Sequence, residues 1–121
     1  MIRILLLCLL TTIAHASDKL QELESRNKID ISKAGGNDYE IQAVQTFWGE
    51  PHFMMQCLPP DSPIHEPFTI YFEVLRNGNM GDIVFTTTTD VTDCMARKVK
   101  NKSFPVPSSS FVVKINMEFV E

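Results

Sequence analysis

The sequence predicts an α+β fold: a small antiparallel sheet of about three strands, with helices packed on one face and one disulfide. The predicted order is helix, strand, strand, helix, strand. Two observations carry this. Apolar residues alternate with period two over residues 68–74 and again over 111–119, with a turn signal after the first run. Between them, Val91, Cys94, Met95 and Val99 recur at helical spacing behind an acidic start.

The N-terminal end reads as a secretory signal peptide over residues 1–16. Arg3 supplies the positive charge, Ile4 to Leu10 the apolar stretch, and Ala14-His15-Ala16 the small residues before cleavage at Ser17. The apolar run stops at Ile13, short of the roughly 20 residues that span a bilayer, so no membrane insertion is expected after cleavage. The destination is periplasmic. Loss of Arg3 leaves the remainder more acidic than the net −4 of the whole chain. This balance argues against nucleic acid and anionic membranes, which need clustered cations.

Cys8 leaves with the signal peptide, so Cys57 and Cys94 remain in an oxidising compartment. They read as a structural disulfide. A metal pair or a reactive thiol is the alternative, and no CxxC spacing supports either.

Residues 17–37 are polar and end in Gly35-Gly36-Asn37; they read as a mobile leader with a short helix around Leu20 and Leu23. Residues 38–121 read as a single α+β domain. Ile41, Val44 and Trp48 recur at helical spacing, although Tyr39, Ile41 and Ala43 also alternate, and Gly49 ends the segment. Pro51 is placed to open a second helix carrying Met54, Cys57 and Leu58 on one face, closed by Pro59-Pro60. Phe68, Ile70, Phe72 and Val74 form the core face of the first strand. Arg76-Asn77-Gly78-Asn79 turns the chain, and Ile83 and Phe85 continue the core on the return. Asp90 is placed to cap the next helix, with Asp93 in its first turn and Arg97, Lys98, Lys100 and Lys102 toward its exit, both favourable against the helix dipole. Phe111, Val113, Ile115, Met117 and Phe119 then alternate with Val112, Lys114, Asn116 and Glu118, read as a strand buried on one face and wet on the other. Cys57 and Cys94 fall on inward faces of their helices, so the bridge would pin the two together.

Laid out this way, residues 51–121 resemble the C-terminal domain of TonB-type energy transducers, in the paired-cysteine variant found in bacterial envelope and gliding-motility proteins. The likeness rests on Cys57 before an extended strand, the Arg76-Asn77-Gly78-Asn79 turn, Cys94 on a basic helix, Phe104-Pro105-Val106-Pro107, and a closing strand ending Met117-Glu118-Phe119. The resemblance implies the fold, the disulfide and a protein-binding role, through an exposed edge strand in some relatives. It does not imply energy transduction, which uses an inner-membrane anchor and a long Pro-rich spacer that this sequence is not expected to have.

Candidate chemistry is sparse. His52 and His65 each neighbour a proline, and the His65-Glu66 pair lies in a Pro-rich loop where it reads as solvated surface. There is no nucleophile elbow and no phosphate-binding glycine loop, so no catalytic role and no cofactor is expected. His52, Met54, Met55, His65 and Met80 can be read as soft copper ligands, but without a tight His/Met repeat no metal site is expected. The segment Phe47, Trp48, Glu50, His52 and Phe53 surrounds a Gly/Pro turn with three aromatics, and is the predicted partner-binding site. The alternative is that Trp48 and Phe53 belong to the core.

The leading expectation is therefore a non-enzymatic periplasmic protein-binding domain, an immunity protein or inhibitor that occludes the cleft of a toxin or cell-wall hydrolase. The second is a TonB-like envelope transport or assembly accessory that adds a strand to a partner, and the third a periplasmic metal carrier. A homodimer is a further expected association.

Overall fold

The structure is a computed structural model that describes residues 18–49, 54–58 and 67–118. The expected signal peptide and Phe119 lie outside these residues. Helix α1 covers residues 18–32 and α2 spans Gly36–Trp48. A 3-10 turn follows at Met54–Cys57, then β1 (Phe68–Val74), β2 (Met80–Phe85), α3 (Asp90–Val99) and β3 (Phe111–Met117).

The α+β class and the element order agree with the sequence. The sheet runs β2-β1-β3 with both neighbouring pairs antiparallel. Phe72 faces Ile83 on one side and Val113 on the other, so period-two alternation sends Ile70, Phe72, Val113 and Ile115 to a common inner face. Phe47 and Ala43 of α2, Cys57, and Val91, Met95 and Val99 of α3 complete the core there. Because β2 and β3 flank β1 on opposite sides, α3 carries the chain across this face from one edge to the other.

The α1–α2 junction needs glycine twice. Gly35 has φ 76°, and a Cβ on Gly36 would collide with the Asp30 carbonyl. Seated this tightly, α2 turns Ala43 and Phe47 to the sheet, while Ile41, expected on the buried stripe, is 57% exposed. The Tyr39 hydroxyl donates to the Pro105 carbonyl at 2.7 Å, and burial pushes its phenol pKa up to about 12.

Between β1 and β2, the Asn79 N–H donates to Asn77 Oδ1 and Gly78 takes φ 87°. The Phe104 N–H donates to the Gly78 carbonyl at 2.9 Å, laying the Phe-Pro-Val-Pro segment across the turn. The cap of α3 is Thr89 rather than Asp90. Its hydroxyl accepts from the Thr92 N–H, and the Thr92 hydroxyl accepts from the Thr89 N–H, which frees Asp90 to join Asp93 in the first turn. The helix expected from Pro51 is a single 3-10 turn within the described residues. That turn is bound to α3 by the Cys57–Cys94 disulfide, with Cα atoms 5.6 Å apart.

The largest departure is residues 18–32. The expected polar leader, with its short helix around Leu20 and Leu23, is a helix over residues 18–32 that lies on the outer face of the sheet, opposite the other helices. Leu23 is 0% exposed and packs with Tyr71 and Val112, flanked by Leu20 and Val84. Val112 is therefore buried, and the outer face of β3 is not wet at that position. Leu20, Leu23, Asn27 and Asp30 share one face of α1, so half of its buried stripe is polar and hydropathy alone does not reveal it. No helix of the described residues is long and apolar enough to cross a membrane.

Candidate functional site

Of the predicted partner-binding segment, the structure describes Phe47 and Trp48. Phe47 is 0% exposed, stacked on Phe72 with ring centroids 5.8 Å apart and edge-on to Trp48 at 5.7 Å. It is a core residue, because the helical turn that carries it is the one docked on the sheet. Trp48 is half-buried against the same core. Glu50, His52 and Phe53 lie outside the described residues, as do His65, Glu66 and the side chains of Met54 and Met55. Met80 is half-buried against the core, the position of a gap-filling side chain.

The polar chemistry of the fold gathers at the sheet edges, which are treated in opposite ways. In β3, Phe111, Val113, Ile115 and Met117 pair with the β1 residues turned toward them, so the main-chain groups of Val112 and Lys114 point outward. Three side chains from α1 and α2 meet them. The Val112 N–H donates to Asp30 Oδ2 at 2.8 Å, and the Val112 carbonyl accepts from Asn27 Nδ2 at 2.9 Å. Asn27 Nδ2 also donates to Glu40 Oε2 at 2.7 Å, and that same oxygen accepts from the Lys114 N–H at 3.2 Å. Asn27 and Asp30 are only 2% and 5% exposed. Around them, Arg26 pairs with Glu73 at 2.6 Å, and Lys33 with Asp30 at 3.1 Å. Asn27, Asp30 and Glu40 stand where the next strand would stand, and they close the edge over Val112 and the Lys114 N–H.

Asn27→Ala should accordingly cost about 1–3 kcal/mol, since it strands a buried carbonyl and removes one partner of Glu40. Urea unfolding measures this, and a change below about 0.5 kcal/mol would mean that water replaces the amide without loss.

The other edge differs. The Thr86 N–H donates to the Thr69 carbonyl at 3.0 Å, and Tyr71 faces Val84. Alternation then turns the main-chain groups of Ile83 and Phe85 away from β1. Among the described residues nothing pairs with them. An isolated bridge pairs Asn79, just before β2, with Ser103. A groove of about 470 Å³ runs beside the strand, with Met80, Gly81 and Ile83 on one wall and Ala96, Arg97, Lys100 and Asn101 of the α3 exit on the other. On the outer face, the exposed Asp82 accepts from Lys19 Nζ at 2.8 Å; this bond, with a second to Glu22, raises the lysine pKa.

A wider depression of about 910 Å³ lies between α2 and the end of α3, lined by Gln42, Gln45, Thr46, Lys98 and Lys102 among others. Lys98 Nζ donates to Gln56 Oε1, and burial lowers the Lys102 pKa. The depression's polar side chains are amides, a hydroxyl and ammoniums.

The open edge combines two things a binding site needs, unpaired main-chain groups and an apolar wall beside them. Sequence reading did not single it out, because whether a strand is central or at an edge depends on the whole topology. Met80 and Ile83 in a strand following a tight turn were the local signal. No family model, curated protein or solved structure matches the chain.

Proposed function

We propose that this protein is a non-enzymatic, exported protein-binding domain that takes an extended segment of its partner as an added strand on the outer edge of β2. The observation that carries this reading is the contrast between the edges: Asn27, Asp30 and Glu40 close β3 over Val112 and the Lys114 N–H, whereas Ile83 and Phe85 turn their main-chain groups away from β1, where no described residue pairs with them. Main-chain bonds supply affinity in this mode, and neighbouring pockets supply selectivity.

Of the readings drawn from the sequence, this favours the envelope accessory of TonB-like type over the inhibitor that inserts an aromatic segment, since Phe47 is committed to the core. Periplasmic placement rests on Arg3, the Ile4–Leu10 run and Ala14-His15-Ala16. Self-pairing through β2 is disfavoured on charge, because a two-fold at that edge brings Arg97 and Lys100 of two copies toward each other.

Proline at position 83 tests the proposal cleanly. It removes the outward N–H of Ile83, which makes no bond within the sheet, so the β1–β2 ladder survives. Tagged protein, residues 17–121 with the bridge formed, is used to capture partners from envelope extracts, and each variant is checked for native circular dichroism. The expected result is a stoichiometric partner retained by the parent and by Trp48→Ala, and weakened about tenfold by Ile83→Pro. Retention by Ile83→Pro together with loss in Trp48→Ala would reject strand addition and restore the aromatic segment as the site.

A further inference from the structure

Resting on the strand-addition reading, we infer that the segment received by β2 is acidic on the side that faces α3. Ile83 and Phe85 pair with Phe72 and Ile70 and lean toward the core, so residues of an added strand directly opposite them point to the same side of the sheet. That side is the groove beside α3. Its floor is apolar, from Met80, Ile83 and Ala96, and its far wall carries Arg97 and Lys100. Both are exposed, and among the described residues neither has a carboxylate partner. The other side of the same strand presents the opposite field. Asp82 is exposed there and holds Lys19, so an acidic residue of the incoming segment would meet a carboxylate that already has its cation.

The recognised pattern is therefore sided: apolar and acidic residues at alternate positions over α3, hydroxyl or neutral residues on the face of Asp82. Each exposed charge pair adds only about twofold to fivefold in affinity, so two together supply about tenfold, enough to choose among partners but not to hold one unaided. This preference weakens with salt, because the cations stand in solvent.

The test uses three blocked heptapeptides of alternating valine and threonine in which two of the valines are replaced by glutamate, glutamine or lysine. Each is titrated into ¹⁵N-labelled protein, residues 17–121, while the amides of Ile83 and Phe85 are followed. The glutamate peptide should bind about tenfold tighter than the glutamine peptide at 50 mM salt, with the lysine peptide weaker still. The gap should shrink at 0.5 M salt and vanish in the Arg97→Gln, Lys100→Gln double variant. Equal binding of the glutamate and lysine peptides at these amides would overturn the acidic partner while leaving the edge as the site. If no peptide moves them, the edge reading falls and takes this inference with it. Concentration-dependent shifts of the same amides without peptide would overturn it in favour of a second copy of the chain.

Discussion

Phe47→Ala should lower the unfolding free energy by about 3–5 kcal/mol, the range for emptying a buried aromatic site. Phe47 lies between α2 and the centre of the sheet, with Phe72 below it and Trp48 against its edge. Truncation removes the apolar burial, leaves a cavity that the rigid sheet cannot collapse into, and loses aromatic pairing worth about 0.5–1.5 kcal/mol for each pair. Against a total stability of about 5–15 kcal/mol for a domain, this brings the fold close to unfolding at ambient temperature. Urea titration of parent and variant measures it, as a shift in midpoint at unchanged slope. A loss below about 1 kcal/mol, accompanied by failure to capture the partner, would return Phe47 to the role of a contact residue.

Removing the disulfide by Cys57→Ala with Cys94→Ala should cost about 4 kcal/mol in the chain-entropy account, given a sequence separation of 37. The bridge is the covalent tie between the 3-10 turn and α3, and its two cysteines sit at the margin of the inner core. The α3 stripe of Val91, Met95 and Val99 does not depend on it, so the native fold should persist with a lower melting temperature. For a domain of this size the drop is about 15–30 °C. Calorimetry on the double variant reads this directly. A fall of less than about 5 °C would show that the reduced chain keeps its ends close without the bond.

Both predictions rest on elements that the sequence declares locally. β1 and β3 were legible because Phe68, Ile70, Phe72 and Val74, and then Phe111, Val113, Ile115 and Met117, recur with period two, and the hairpin because Asn77-Gly78 takes few conformations other than a tight turn. The cysteine pairing followed once Cys8 was assigned to the signal peptide. What was missed depends on partners distant in sequence. Asn27 and Asp30 count as solvated residues in any hydropathy window, yet the sheet buries them, because Val112 lies more than eighty residues away with main-chain groups to satisfy. Ile41 and Ala43 were exchanged for a related reason: the more apolar residue faces water, since the α1–α2 junction sets the rotation of α2. The cap moved by one residue, to Thr89, because Thr92 could complete a reciprocal pair that Asp90 could not. At the candidate site, the aromatics were noticed for their residue type, while the β2 edge consists of main chain and has no residue type to notice.

The closure of β3 by side chains also bears on solubility. A fragment cut where hydropathy places the domain, at residue 38, keeps every strand and the disulfide but discards Asn27, Asp30 and Leu23 together. What remains is a strand with bare main chain at Val112 and a run of Phe111-Val112-Val113 beside it, low in charge and rich in β-branched residues. Such a stretch is a template on which further copies stack into insoluble aggregates, which turbidity of the fragment against the whole chain would reveal. The polar first helix, which looks dispensable from its composition, is what closes the sheet on its β3 side.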